Sequence, residues 1–320
     1  MDTGFLDAIR GQEAAVSALK TALQQQRISH AWRFCGPPGC GKETVARELA
    51  RHLLLADDAA GKVFFDQGGH PDLMLVEVPE NKTLIGVEQI AREMNPWLFN
   101  RPARAQRRVV IIREADRLSI PAANALLKTL EEPPDYAVII LISEQDGMLD
   151  TIISRCQNLR FIALNDDSVC QLLIQRDIAP DTAREVAQAA AGNMQSALAL
   201  AASNKLAEYK EHSVALCGAL ASGQYIEVFK AAEALEKDPL LLNFIEMTLR
   251  DFYLYRHKGG AAALMLPELT PHYDQWPYNR RTGALDALRE LNRLRSYYQS
   301  SANKTLLAVN VAWTIHHVFY

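Results

Sequence analysis

The stretch Gly36-Pro37-Pro38-Gly39-Cys40-Gly41-Lys42-Glu43-Thr44 follows a short apolar run, AWRFC (31–35), and precedes a segment in which Val45, Leu49 and Leu53 recur every four residues. Strand, glycine-rich loop and helix in that order form a phosphate-binding loop. The glycines let successive backbone N–H groups converge on phosphate oxygens, and Lys42 reaches the outer phosphates. A Ser or Thr hydroxyl directly after the lysine would hold Mg²⁺. Here that position is Glu43, which sets a carboxylate beside phosphates. Thr44 has the right hydroxyl, but one residue later it lies about 100° further round a 3.6-residue helix and cannot simply substitute.

Outward from this loop, apolar runs alternate with helical segments: AWRFC (31–35), DLMLVEV (72–78), RVVII (108–112), AVIILIS (137–143) and NLRFIAL (158–164). Continuous rather than alternating apolar runs predict buried strands of a parallel sheet. Ser119 and Pro121 suit the N-cap and first turn of a helix over NALLKTLEE. Past residue 164 no strand-like run is convincing. DSVCQLLIQRD, TAREVAQAAA and MQSALALAAS predict short Ala-rich amphipathic helices, and longer helical stretches follow from about Leu206. The span KGGAAALMLPELTPHYDQWP interrupts these later helices. The expected organisation is an α/β nucleotide-type domain over residues 1–163, a small helical domain over 164–206 and an all-helical domain over 207–320.

Length and composition agree with several domains. A chain of 320 residues exceeds the roughly 250 to 300 at which single cores stop growing. A net charge of −4 and pI near 6.1 exclude a polycation that holds nucleic acid unaided, so DNA contact must be local or shared. No apolar run reaches membrane-spanning length and MDTGFLDAIRGQ has no leader character, so a cytoplasmic protein with no membrane partner is expected. Cys35, Cys40, Cys156, Cys170 and Cys217 show no C-x-x-C pair and no zinc-ligand spacing, which predicts reduced, mostly buried thiols.

A second diagnostic position lies at the end of RVVII. A nucleotide hydrolase needs an acidic residue there to position Mg²⁺, usually followed by a carboxylate that orients the attacking water. This chain has Arg113 and Glu114. Asp116 offers a carboxylate, but three residues beyond the strand end, where solvent or a neighbouring helix is the more natural surrounding. Glu43 and Arg113 occupy positions that would otherwise meet at one metal ion. They are expected either to form an internal ion pair in its place, leaving Lys42 with fewer anionic partners, or to turn to solvent.

AANALLKTLEEPP (122–134), Thr151-Ile152-Ile153-Ser154-Arg155-Cys156, the Gly11-Gln12 pair and SHAWRF before the loop together resemble the AAA+ clamp-loader family of bacterial DNA polymerase III. The resemblance covers about residues 5 to 200, and the remaining third is similar only in being helical. It implies an α/β P-loop AAA+ domain with a parallel sheet, a small helical lid domain and an all-helical C-terminal collar domain that oligomerises. An active motor of the family would carry Ser or Thr at 43, Asp at 113, and Arg in the lid where Gly192-Asn193-Met194-Gln195 has Gln195. Ser143, at a strand end, takes the family's other sensor position. Three losses in one pocket, Glu43, Arg113 and Gln195, each remove or invert a charge at phosphate or metal and imply a pocket silent in hydrolysis. Gly36, Gly39, Gly41 and Lys42 survive, so weak ATP or ADP binding without turnover is compatible, and no cofactor is required.

Arg155 is intact, and the resemblance implies an arginine finger inserted into a neighbouring subunit's ATP site. Without that resemblance it would read as a salt-bridged arginine after a helix. Implied partners are the gamma/tau motor subunits, the delta subunit, the sliding clamp, and primer–template DNA within the complex. The family's four-cysteine zinc module has no counterpart in LADDAAGKVFFDQGGHPD (55–72), so no zinc is expected, and His70 reads as a loop residue. That insert could still offer a contact surface. Arg101, Arg104, Arg107 and Arg108 form the concentrated basic run, open to two readings: a solvated loop or a DNA-backbone contact. The rival to a silent subunit is an active AAA+ motor ATPase of clamp-loader or branch-migration type in which Thr44 and Glu114 suffice. A small-molecule kinase lacks an acceptor site.

Overall fold

Five parallel strands, β1 (Ala31–Cys35), β2 (Leu73–Val76), β3 (Arg108–Ile112), β4 (Ala137–Ser143) and β5 (Gln157–Arg160), form one sheet in the spatial order β2-β3-β4-β1-β5. The structure is a computed structural model and describes residues 4–56, 58–144, 147–203, 205–257, 264–278, 283–298 and 303–320. Register aligns the strand ends: Cys35 lies opposite Ser143 and Arg160, and Ile112 opposite Val76 and Leu141. The loops after β1, β3 and β4 therefore leave the sheet at one edge, where ligands of open α/β sheets are held.

The continuous apolar runs have the physical cause expected of them, because both faces of the sheet are covered. Val109, Ile111, Val138 and Ile140 pack on one face with helices α1 (Glu13–Gln24) and α2 (Lys42–Leu55). Val110, Ile112, Ile139 and Leu141 pack on the other with Ile85, Ile90, Met94 and Leu98 and with Ala122, Ala123, Leu126 and Leu130. On that second side lie a π-helical turn (Gln89–Met94), α4 (Asn95–Phe99) and α5 (Ile120–Glu131), while α3 (Lys62–Asp66) lies in the insert before β2. Val45, Leu49 and Leu53 are buried as their spacing predicts. Ser119 caps α5 by accepting the Ala122 N–H at 3.3 Å, with Pro121 in the first turn.

Two strands are shorter than their apolar runs predict. β2 and β5 have four residues each and lie at the sheet edges. Leu73, Met74 and Leu75 are only half-buried or exposed, and in β5 only Leu159 is buried. Past Arg160 the Phe161 N–H still reaches the Cys35 carbonyl at 2.7 Å. A side chain then replaces the ladder, as Gln12 Oε1 accepts the Ile162 N–H at 3.1 Å and Gln12 Nε2 donates to the Ile162 carbonyl at 2.7 Å. A run whose neighbour is a side chain rather than a strand stays apolar in sequence without staying in the sheet.

The chain divides into two compact units, residues 1–168 with 192–195, and residues 169–191 with 196–320. Among its described residues the second has helices and no strand: Pro180–Ala190, Leu206–Leu220, Tyr225–Lys237, Leu241–Arg256, Gly283–Tyr298 and Lys304–Phe319 are its main helices. The final stretch, continuous in its sequence periodicity, is two helices, the second capped by Asn303, which accepts the Leu306 N–H at 3.1 Å. The span that looked like a separator supplies core aromatics instead: Tyr273 and Trp276 are buried and meet Phe252 edge-on at 6.0 and 5.4 Å. Residues 258–263 of that span lie outside the described residues. All five cysteines are free thiols, with Cys40, Cys156 and Cys217 buried. Among the described residues no helix is long and apolar enough to cross a membrane.

Candidate functional site

The phosphate loop forms at the end of β1. Gly41 is the N-cap of α2 at φ +99°, a conformation that side chains rarely adopt. Gly39, at φ +67°, is required for space as well. A Cβ there would lie 1.7 Å from Asn193 Oδ1, and the Met194 N–H donates to the Gly39 carbonyl at 3.0 Å. The turn at 192–195 therefore lies directly on the loop. Lys42 is buried, and its ammonium donates to the loop's own carbonyls, Gly36 O and Pro37 O, each at 2.6 Å. A phosphate would have to draw Lys42 off both.

Glu43 lies in the first turn of α2 and Arg113 directly after β3, and the strand-end register brings them together. Arg113 Nη2 donates to Glu43 Oε2, and its Nη1 donates to Glu77 Oε2 at 2.8 Å. Glu43 Oε1 accepts from Arg47 Nε at 2.9 Å, one helical turn on. The chain Arg47–Glu43–Arg113–Glu77 is charge-balanced. Partial burial pushes the Glu43 carboxyl up, but hydrogen bonds from Arg47 and Arg113 outweigh it and hold the group below its ordinary value. Burial works against the Arg113 cation, and Glu77 and Glu43 more than restore it. The Arg113, Glu43 and Glu77 side chains are 38%, 34% and 58% exposed, so each pair contributes only about 0 to 1 kcal/mol. The network matters for what it occupies more than for stability. A divalent cation would find a guanidinium where it needs a carboxylate, and the residues present do not fit Mg²⁺.

The remaining pocket residues do not correct this. Thr44 is on the exposed side of α2. Glu114, at φ +47°, is exposed and pairs with Arg117 at 3.3 Å. Asp116 is half-buried in the turn Ala115–Arg117, with Oδ1 buried and unpartnered. It adds negative potential at Glu144, whose carboxyl is pushed up by burial and by Asp116 and Glu114 against the opposing Lys42 charge. Ser143 is fully buried, and its Oγ has no partner. Gln195 is exposed; its N–H donates to Asn193 Oδ1 at 3.0 Å, and its side chain brings no charge.

Arg155 follows the short helix α6 (Asp150–Ile153) at another edge of the same unit. Its Nη2 donates to Glu131 Oε1 at 2.6 Å and its Nη1 to the Thr151 carbonyl at 2.8 Å. The isolated chain thus shows the salt-bridged form of this arginine, with the side chain 35% exposed. Its neighbours differ in role: Ser154 Oγ turns back to the Thr151 carbonyl at 3.1 Å, while Cys156 is buried, which pushes its thiol up to about 11.

The basic run is largely consumed within the fold. Arg104 donates to both carboxylate oxygens of Asp58, at 2.7 and 3.0 Å, and lies over the Phe64 ring at 5.0 Å. Arg108 is buried, donates to the Trp97 carbonyl, stacks on the Trp97 ring at 4.4 Å and pairs with Asp72 at 3.4 Å. Asp72, fully buried, accepts the N–H groups of Ala103, Arg104 and Ala105 at 2.7 to 2.9 Å. Among the described residues only Arg101 and Arg107 of the run have no acid partner, so a four-arginine DNA stripe is not what the chain presents. His70 is in the loop before β2, as expected, but not open to solvent. It is buried, with Nδ1 accepting the Asp72 N–H at 3.1 Å, and burial pushes its pKa down against Asp72 and Asp58. In the insert, Val63 and Phe64 are exposed.

Gln12 is the residue whose part sequence reasoning missed. Its amide ties Ile162 to the loop by donating also to the Cys40 carbonyl at 3.1 Å. Both contacts are remote in sequence, and only the buried polar type near a glycine hinted at them.

Sheet order, phosphate loop and strand-end register define an α/β P-loop domain with a five-stranded parallel sheet. Residues 11–165 match the family model described as "DNA polymerase III, delta subunit". The DNA polymerase III subunit delta' of Bacillus subtilis is 31% identical over 215 residues, 64% of each chain. The tau subunit of the same organism is 32% identical over 211 residues, 61% of this chain and 37% of tau. The chain thus spans less than two thirds of these relatives. A gamma subunit-related protein of Thermotoga maritima superposes with a TM-score of 0.46 at 20% identity, covering 94% of this chain and 99% of that one. Over residues 11–165 the chain is thus similar in sequence to clamp-loader subunits of DNA polymerase III.

Proposed function

We propose that the chain is a non-hydrolysing, delta-prime-type subunit of the DNA polymerase III clamp loader. In this reading it completes a ring with the gamma/tau motor subunits and the delta subunit through its helical C-terminal region (207–320). It lends Arg155 to a neighbour's ATP site while the sliding clamp is loaded on primer–template DNA. The observation that carries it is the Arg47–Glu43–Arg113–Glu77 network, with Lys42 turned onto Gly36 and Pro37. Phosphoryl transfer depends on positioned charge, and here the charges that would position metal and phosphate are satisfied by each other. ATP or ADP binding is accordingly weak, and no metal is required.

The motor reading is favoured by one observation, since identity to tau, at 32%, is no lower than the 31% to delta'. ATP turnover by the purified chain separates the two. The expected outcome is no turnover above background and no change on Lys42→Ala. Robust Mg²⁺-dependent turnover abolished by Lys42→Ala would establish the motor.

A further inference from the structure

We infer that Glu131 is a positioning residue for Arg155, holding its guanidinium extended and ordered before any neighbour arrives. This rests on the proposed role of Arg155 in trans. Glu131 ends α5 and Arg155 follows α6, and these two helices pack on each other. Two anchors fix the side chain from different directions, Glu131 Oε1 at 2.6 Å and the Thr151 carbonyl at 2.8 Å. A guanidinium carries five N–H donors in a rigid fork, so two contacts leave three to present outward, and the side chain is still 35% exposed. An unanchored arginine loses several rotatable bonds' freedom on meeting a phosphate, and prior ordering removes part of that cost. A single half-exposed carboxylate is also a weak competitor, so it guides the cation without capturing it. Arg113, braced between two carboxylates, shows what capture looks like.

The test uses the loader reconstituted with its motor subunits and primed DNA. Glu131→Ala should lower kcat about two- to five-fold, the range that an exposed ion pair allows, with KM for ATP and ring assembly unchanged. Glu131→Gln, whose amide oxygen still accepts from Nη2, should restore most of the rate. In the isolated chain, the Arg155 Nε–H signal should narrow toward free-arginine mobility in Glu131→Ala but not in Glu131→Gln. Wild-type or higher kcat in Glu131→Ala, Glu131→Gln as impaired as Glu131→Ala, or unaltered Arg155 mobility would overturn the inference. A loader indifferent to Arg155→Ala would instead remove the proposed trans role, a separately readable result.

Discussion

Arg113 and Arg155 are both half-exposed and both paired with glutamate, yet their settings differ in kind. Arg113 joins α2, the segment after β2 and the end of β3, bridging 70 and 36 residues of sequence to reach Glu43 and Glu77. Arg155 leans on a helix end 24 residues away and a carbonyl four residues back. Exposure does not separate them, at 38% and 35%. What separates them is that Arg113 braces a cleft from inside, whereas Arg155 stands at an edge with donors to spare. One cation is taken up inside this chain's own cleft, and the other, under the proposed function, serves a neighbour's.

The comparison breaks most visibly if the two arginines are exchanged in importance. In the reconstituted loader, Arg155→Ala should lower DNA-stimulated ATPase about 10³-fold or more, the scale of a finger supplied in trans. Arg113→Ala should leave that rate within about two-fold, since under the proposed function it removes only a brace worth roughly 0 to 1 kcal/mol in a pocket that does not hydrolyse. Steady-state turnover with assembly verified by sedimentation checks both. Equal losses, or a larger loss for Arg113→Ala, would mean the closed pocket takes part in turnover.

A sharper and smaller effect comes from reopening the cleft. Glu43→Thr with Arg113→Asp restores a hydroxyl and a carboxylate where a metal needs them and removes the charge chain built on Arg113. Mg²⁺-dependent ATP affinity, read by calorimetry, should rise about tenfold or more over the parent chain, about 1.4 kcal/mol. Glu43→Thr alone should gain less, because Arg113 keeps its bond to Glu77 and its charge stays where the metal would sit. If the double substitution binds no better than the parent, then the inward Lys42 and the Asn193 contact at Gly39, rather than the ion network, keep the loop closed.

The pair Glu43 and Arg113 was legible in sequence because both hang on elements whose ends the motif already places. Arg47, one turn after Glu43, was not singled out, because helical spacing alone does not say that it shares the carboxylate. Glu77 was not, since its reach depends on how the short edge strand β2 registers against β3. Lys42 could not be seen turning inward, because its direction depends on the loop's own carbonyls. The basic run from Arg101 to Arg108 stayed open between two readings for a similar reason: a charge count in a loop takes no account of Asp58 and Asp72 folded beneath it. The sheet was legible where burial on both faces makes runs continuous, and overread at β2 and β5, where an apolar residue covers an edge instead of joining the ladder. Gln12 and Glu131 needed the fold, as their partners lie 150 and 24 residues away.

The smallest expected effect concerns acid. Glu43 titrates in the folded chain below its ordinary value of 4.5, because hydrogen bonds from Arg47 and Arg113 outweigh the cost of its partial burial. A depressed carboxyl binds its proton more readily when unfolded, so its contribution to stability is fully present above about 4.5 and is lost as pH falls through the folded value. Glu43→Gln, which keeps shape but not charge, should therefore be less stable than the parent at pH 6 and approach it as pH drops below 4.5, in urea midpoints at matched m-values. Arg155 provides the contrast, since Glu131→Gln removes a single-carboxylate pair and should displace the midpoint at pH 6 by less. A gap between Glu43→Gln and the parent that persisted unchanged into acid would show that Glu43 acts through packing, and that the cleft is closed by shape rather than by charge.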